Sequence, residues 1–160
     1  MKRLVWVLVA SVMGLLLSSS LSLAQHSHGG GGAKSGGMKM DTKDVIVEGT
    51  KVSFMVMSNE EHKKMLADMK MKSDIEPGTT HNITVVLKDA KSQKEVTDAQ
   101  ITMKVVDPKG KDQIKPLKYD GDMKSYDAYF NLPEKGKYQV MILFKVGEQK
   151  RTAGIYYDLK

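Results

Sequence analysis

The sequence Tyr138-Gln-Val-Met-Ile-Leu-Phe-Lys-Val146 is the clearest strand pattern in this chain of 160 residues. Tyrosine, valine, isoleucine, phenylalanine and valine occupy every second position of 138–146. Because successive side chains of a β-strand point to opposite faces, this alternation predicts a strand that buries one face. Gly147 follows directly, and residues 151–159 then repeat the pattern, which predicts a hairpin of two long strands.

Shorter segments of the same kind precede this hairpin. The predicted strands are residues 44–48, 52–57, 81–88, 99–106, 113–118, 125–131, 138–146 and 151–159. Pro116 cannot donate a backbone hydrogen bond, so its strand is expected at a sheet edge. Tyr138 follows a Pro/Gly corner, as the conserved tyrosine of immunoglobulin-like sandwiches does. We therefore predict a mainly β domain, an immunoglobulin-like antiparallel β-sandwich of about seven or eight strands with one short inserted helix.

The predicted helix lies in a segment rich in methionine and histidine. Residues 53–71 contain five of the twelve methionines and one of the four histidines. Ser58 or Asn59 can cap the helix, and the two glutamates that follow favour the positive end of the helix dipole. The helix is expected to run to about residue 71.

One stripe of this helix is a candidate metal face. At 100° per residue, His62, Met65, Leu66 and Met69 fall on one side, whereas Met71 points the opposite way. Methionine thioethers and an imidazole suit soft Cu(I). The alternative is that this stripe packs against the sheet, because methionine is also a flexible core filler. Helical spacing alone favours the packing role.

Further candidate ligands lie on the strands beside the helix. Met55 and Met57 share one face of their strand. The opposite face, which is the better core candidate, carries Val52, Phe54 and Val56. His81 begins a strand, so it can meet His62 if the helix folds over the sheet edge. The alternative is a lone histidine that serves only hydrogen bonding.

The first 43 residues are expected to lie outside the folded domain of residues 44–160. Residues 1–24 have the basic start, the apolar run and the small-x-small end of a cleaved signal peptide, although an uncleaved anchor is the alternative. Residues 25–43 form a flexible Gly/His-rich linker. His26 and His28 would lie near the new amino terminus, where imidazoles can chelate Cu(II) or Ni(II), or they are incidental to a solvated linker.

Composition excludes several classes of function. Removal of Lys2 and Arg3 leaves 23 basic against 19 acidic side chains, a charge of +4, which is too mild to indicate nucleic-acid binding in an exported protein. The chain has no cysteine, so thiol catalysis and covalent haem are impossible. No nucleophile elbow, phosphate loop or paired-histidine helix is present, and we predict that the protein is not an enzyme. The segment from Asp120 to Asp122 is a turn rather than a calcium loop.

The segments Met55-Val-Met-Ser-Asn-Glu-Glu-His-Lys-Lys-Met65, Pro77-Gly-Thr-Thr-His81 and Gly136-Lys-Tyr-Gln-Val140 resemble exported bacterial proteins with a YtkA-like (FixH-related) domain. The resemblance implies an immunoglobulin-like sandwich associated with heavy-metal or copper handling. It nominates as ligands His62, Met65, Met69, Met71 and His81. The chain is also similar in outline to periplasmic copper carriers of the sandwich type, but it lacks their His-x-Met pair.

Two functions follow from these features. The first is a periplasmic or otherwise exported metal-binding protein, an accessory or carrier without catalytic activity whose metal is copper. Its partner would be a periplasmic or membrane-bound metal-handling protein, and it would have no stable membrane insertion after signal cleavage. The second is an immunoglobulin-like interaction module that presents the Met-rich helix to a protein partner without any metal. The first requires the candidate ligands to converge, whereas the second requires an exposed apolar stripe.

Overall fold

A computed structural model of the chain describes residues 42–160, which form nine strands and one helix. The elements in chain order are β1 (Thr42–Val47), β2 (Thr50–Ser58), α1 (Asn59–Asp68), β3 (His81–Asp89), β4 (Gln100–Val106), β5 (Asp112–Pro116), β6 (Lys118–Asp120), β7 (Ser125–Phe130), β8 (Gly136–Val146) and β9 (Gln149–Leu159). The predicted signal peptide and residues 25–41 of the predicted linker lie outside the described residues. β1 begins two residues before the predicted start of the domain.

The strands form two antiparallel sheets that pack as a sandwich, which confirms the predicted fold class. One sheet has the order β1-β2-β3-β7-β6 and the other the order β5-β4-β8-β9. β5 lies at an edge, as Pro116 predicted. β6 was not predicted, because three residues are too few to show an alternating pattern.

The core lies between the sheets and follows the alternation of the sequence. In β8 the side chains of Tyr138, Val140, Ile142 and Phe144 are at most 1% exposed. In β2 the predicted core face, formed by Val52, Phe54 and Val56, is also buried. The hydroxyl of Tyr138 donates to the carbonyl of Glu134 at 2.7 Å and accepts from its N–H at 3.0 Å. This pair of bonds to the preceding loop confirms the predicted tyrosine corner.

β1 and β9 approach each other at one side of the sandwich. The Lys43 ammonium donates to the backbone carbonyl of Tyr156 on β9. Arg151 on β9 donates from Nη1 to the Thr50 hydroxyl at 2.8 Å and from Nε to Glu48 at 3.1 Å. Side chains therefore connect the edge strands of the two sheets on this side.

The helix begins with a capping box. The Ser58 hydroxyl accepts from the N–H of Glu61 at 3.2 Å, and the Glu61 carboxylate accepts from the N–H of Ser58 at 2.8 Å. Two backbone donors that have no partner inside the helix are thereby satisfied. Of the two predicted caps, Ser58 is the one used.

The helix ends at Asp68, earlier than predicted. The N–H of Lys70 bonds to the carbonyl of Ala67 at 3.0 Å, and the N–H of Met71 bonds to the carbonyl of Leu66 at 2.8 Å. These two bonds form a Schellman motif with Lys70 in the left-handed region at φ +58°. The expectation that Met71 points away from the His62 stripe was wrong, because the chain reverses at Lys70 and returns Met71 towards Leu66.

Lys70→Gly is expected to stabilise the protein by about 0.5–1 kcal/mol, because glycine adopts the left-handed conformation without a Cβ clash. The greater freedom of glycine in the unfolded chain limits the gain. Urea denaturation measures the free energy of unfolding. The matched control is Lys63→Gly inside the helix, which should destabilise by about 1 kcal/mol. Destabilisation by both variants would contradict the assignment of the motif.

Candidate functional site

A cleft of about 210 Å³ lies on the outer face of the five-stranded sheet, next to the helix. Its lining combines one imidazole, two thioethers and three carboxylates. These side chains are His62, Met71, Met123, Asp74, Asp120 and Asp127. Leu66, Lys72, Thr84 and Ser125 complete the wall. The cleft therefore brings together soft and acidic groups that are far apart in the sequence.

The floor of the cleft is built by strand register. Thr84 on β3 is paired with Asp127 on β7 and with Met55 on β2. The next outward row pairs Asn82 with Tyr129 and Met57. Because alternate residues of a strand share a face, these two rows lie side by side on the outside of the sandwich.

The side chain of His62 is held in place by a contact with Tyr129. Its side chain is 4% exposed, and its Nδ1 lies 3.1 Å from the Tyr129 hydroxyl. That hydroxyl donates its proton to the Asp74 carboxylate over a long 3.4 Å bond. When this hydroxyl gives its one proton to Asp74, it can contact His62 only by accepting from an N–H at Nδ1. The tautomer compatible with both contacts has the proton on Nδ1 and a lone pair on Nε2.

The surroundings of His62 and Tyr129 favour the neutral form of both side chains. Burial lowers the pKa of His62, although Asp127, Asp74 and Asp120 raise it by smaller amounts. Burial also raises the pKa of Tyr129, and the carboxylates of Asp74 and Asp127 raise it further. Tyr129 therefore stays protonated and His62 stays neutral at pH 7, which is the form of histidine that binds metals.

Asp127 is the partly buried carboxyl of the floor. The Asn82 amide donates to it at 2.7 Å, and the Thr84 hydroxyl donates to the Asn82 carbonyl oxygen at 2.8 Å. Burial raises the pKa of Asp127, and the bond from Asn82 opposes this rise. These two hydrogen bonds, from Thr84 to Asn82 and from Asn82 to Asp127, hold the Asp127 carboxylate facing the cleft.

Met123 reaches the cleft from the turn between β6 and β7. The Asp120 carboxylate accepts from the backbone N–H groups of Asp122 and Met123 at 2.8 and 3.0 Å. These bonds are those of an aspartate turn, which agrees with the prediction of a turn rather than a calcium loop.

The two histidines that the sequence proposed as partners lie on opposite faces of the five-stranded sheet. His81 alternates with the outward Asn82 and shares the inward face with Ile83. Its Nδ1 lies 2.8 Å from the Thr80 hydroxyl. His62 and the cleft lie on the outer face. The structure therefore does not bring His81 to His62.

The candidate methionines divide between the cleft and its surroundings. Met71 lines the cleft beside His62. Met65 is half-buried on the helix, whereas Met69 is 45% exposed. Met57 is buried and Met55 half-buried on the outer face of β2, one strand away from the floor.

Hard ligands alone do not form a metal site in the described part of the chain. Within residues 42–160, no group of three His, Asp or Glu side chains could hold a metal ion. A site at the cleft would therefore require the thioethers of Met71 and Met123 beside His62. His26 and His28 lie outside the described residues.

Four residues of the cleft and its support were not predicted as site residues from the sequence: Met123, Asp74, Asp127 and Tyr129. Ser125, Asp127 and Tyr129 alternate in β7 with buried Tyr126 and Phe130. This pattern is a signal for a polar outer face. Asp74 and Met123 lie in loops and show no such signal.

The free energy of unfolding is expected to fall as the pH drops below about 6.5, the ordinary pKa of histidine. Burial lowers the pKa of both His62 and His81 in the folded state. Between 6.5 and those lowered values the unfolded chain binds more protons, so acidification favours unfolding. Urea denaturation between pH 7.5 and 5 measures the change. The double variant His62→Gln/His81→Gln should flatten the profile, and an unchanged slope would contradict the argument.

Comparison with known proteins shows the fold alone. No family model matches the chain, and no curated protein sequence matches it. A crystal structure of FetP from uropathogenic Escherichia coli strain F11, expressed in the periplasm, matches with TM-score 0.56 at 11% identity, covering 76% of this chain and 97% of FetP. A copper-bound variant of FetP matches equally well, with TM-score 0.56 at 11% identity over 76% of this chain and 98% of that one. A DUF4426 family protein from Pseudomonas aeruginosa PAO1 has TM-score 0.54 at 14% identity, covering 74% of this chain and 94% of its own. The similarity to YtkA-like domains stays a prediction.

Among residues 42–160, no helix is both long enough and apolar enough to cross a membrane.

Proposed function

We propose that this protein is an exported copper-binding accessory or carrier protein without catalytic activity, and that the cleft beside the helix is its Cu(I) site. The observation that supports this most strongly is the contact between Nδ1 of His62 and the Tyr129 hydroxyl. Tyr129 occupies Nδ1, so Nε2 is the free nitrogen in a cleft that Met71 and Met123 also line.

The chemistry of the lining favours copper in its reduced state. Thioether sulfur and neutral imidazole are ligands that soft Cu(I) accepts, whereas magnesium and calcium require oxygen ligands. Asp74, Asp120 and Asp127 surround the cleft without forming a metal-binding group of their own. Their role would be electrostatic, because a cleft of negative charge attracts cations.

The fold is compatible with this role. FetP, which has a similar fold, is known in a copper-bound form. Export is supported by the signal-peptide pattern at the start of the sequence. The partner would be another metal-handling protein, either periplasmic or membrane-bound, that gives or receives the ion.

The alternative function, an interaction module that presents the Met-rich helix, has less support. That function requires an apolar stripe on the outside of the helix. Leu66 is buried against the sheet, and Met69 is the one large hydrophobic side chain that is exposed on the helix or directly after it. A single exposed methionine is normal at a protein surface.

An anaerobic Cu(I) titration against a chromophoric chelator tests the proposal. The full mature protein is compared with Met71→Leu/Met123→Leu, which removes both thioethers of the cleft. We expect saturable one-to-one binding that the double variant loses. The matched control Met65→Leu/Met69→Leu removes two methionines outside the cleft and should leave the affinity unchanged.

A further variant, His26→Ala/His28→Ala, tests the linker histidines. Unchanged Cu(I) binding is expected, because the proposed ligands lie in the folded domain. Loss of binding in this variant alone would place the copper site on the linker. Loss in the control Met65→Leu/Met69→Leu would place it on the outer side of the helix. Failure of every protein to compete with the chelator would reject the copper function.

Tyr129→Phe is expected to weaken Cu(I) binding by about 10–100-fold, the usual cost of removing a group that orients a histidine ligand. The ring and its contact with the imidazole, 5.5 Å between centroids, remain. Only the hydroxyl that contacts Nδ1 of His62 is lost. The competition titration measures the affinity, and Tyr126→Phe on the inward face of the same strand is the control. Equal affinities for the two variants would argue against a role for the Tyr129 hydroxyl.

A further inference from the structure

A second groove lies on the outer face of the other sheet. Its volume is about 420 Å³, within the range of small-molecule sites. Its lining is cationic at one end and uncharged along the rest. The side chains that form it include Lys145, Lys150, Gln100, Thr102, Leu143 and Pro116. None of these residues belongs to the proposed copper site.

The polar end of the groove contains two lysines in direct opposition. Lys145 on β8 is the register partner of Lys150 on β9, so the two side chains emerge side by side on one face. Like charges at directly opposed positions destabilise a sheet. Lys145 has one carboxylate within reach, that of Glu148 at 3.4 Å, but Glu148 is 95% exposed and the pair is screened by solvent. Among residues 42–160, Lys150 has no ion-pair partner.

The remainder of the groove is uncharged and includes two apolar side chains, Leu143 and Pro116. Leu143 is the next outward residue of β8 and is 48% exposed. Thr102 pairs with Leu143 on one side and with Pro116 on the other. The path from Lys150 across Leu143 to Pro116 therefore changes from cationic to uncharged, with Leu143 and Pro116 as its apolar parts. Such a gradient is complementary to a molecule with an anionic head and an apolar chain.

We propose that this groove binds a small amphiphilic carboxylate. Its head lies between the ammonium groups of Lys145 and Lys150, and its chain lies over Leu143 towards Pro116. The carboxylate would relieve the repulsion between the two lysines and accept charge-assisted hydrogen bonds from both. The chain would remove the exposed part of Leu143 from water.

Octanoate, used below its micelle concentration, is the probe for this site. We titrate it into the full mature protein and follow the backbone amide signals of Gln100, Leu143 and Lys150 by NMR. Saturable shifts at these positions are expected. Acetate, which lacks the chain, and octanol, which lacks the charge, should each bind at least about fivefold more weakly, because each retains only one of the two interactions.

The variants separate binding from simple folding effects. Lys145→Gln/Lys150→Gln should weaken octanoate binding at least about fivefold, because both cations that face the head are lost. Lys150→Gln alone should also raise the melting temperature of the free protein, since it removes the unfavourable pair. The matched control is Lys104→Gln, because Lys104 lies on the same sheet face but is paired with Asp112 at 2.7 Å. Its octanoate affinity should stay within about twofold of the original.

Three results would overturn the proposal. The first is the absence of saturable octanoate shifts in the groove. The second is equal affinity of the double lysine variant and of Lys104→Gln. The third is binding to anionic phospholipid vesicles without binding to free octanoate, which would identify the face as a membrane contact. All three are independent of the Cu(I) titrations, since no residue is shared between the two sites.

Discussion

His62→Gln is expected to weaken Cu(I) binding by at least about 100-fold, equivalent to about 2.7 kcal/mol of binding free energy. His62 supplies the only nitrogen ligand of the proposed site, and an amide is a poor ligand for a soft ion. Glutamine is polar and of similar length, so it can still contact the Tyr129 hydroxyl and limit the loss of stability. The competition titration with a Cu(I) chelator measures the effect directly.

The matched control for this variant is His81→Gln. His81 is also a buried histidine with a pKa lowered by burial, but it lies on the inward face of the sheet. The variant His81→Gln should therefore keep the original affinity for Cu(I). Circular dichroism of both variants checks that each is folded before the affinities are compared. If His81→Gln lost Cu(I) binding and His62→Gln did not, the site would lie on the inward face at the start of β3. The cleft would then be rejected as the copper site.

Phe144→Ala is expected to reduce the free energy of unfolding by about 3–5 kcal/mol. Phe144 is fully buried near the C-terminal end of β8, where its register partners are Ile101 on β4 and Arg151 on β9. Truncation removes apolar burial and leaves a cavity that the two sheets cannot close. A loss of this size is a large part of the stability of a typical domain, about 5–15 kcal/mol.

The neighbouring residue provides the control for this prediction. Leu143 directly precedes Phe144 in the same strand but points outward and is 48% exposed. Leu143→Ala should change the free energy of unfolding by no more than about 0.5 kcal/mol. Urea denaturation of the two variants compares inward and outward positions of one strand. Equal losses would contradict the assignment of the buried face.

Much of the fold could be predicted from the sequence because strand alternation is a local property. The alternation in residues 138–146 identified the buried face of β8, and Pro116 identified an edge strand. The helix end was harder to predict. It depends on the left-handed conformation of Lys70, a residue type that gives no signal for such a turn.

The candidate site could be predicted only in part, for a related reason. Periodicity shows which residues share a face of one element, but not against which sheet face that element packs. His62 was therefore identified as a candidate, while its contact with Tyr129, 67 residues away, was not. The same limit explains why His81 was proposed as its partner. Met71 was nominated only by the resemblance to YtkA-like domains, and the turn at Lys70 gave it a different position from the one that helical spacing predicted.

The lateral contact between β1 and β9 has a consequence for behaviour at high concentration. An edge strand can template the addition of another chain, and β9, with eleven residues, is the longest edge strand among residues 42–160. Lys43 binds the Tyr156 carbonyl of this strand, and Arg151 anchors the strand to β2. β1 and its lysine thus cover part of this edge, and their removal would expose more of a surface on which copies of the protein could stack into fibrils.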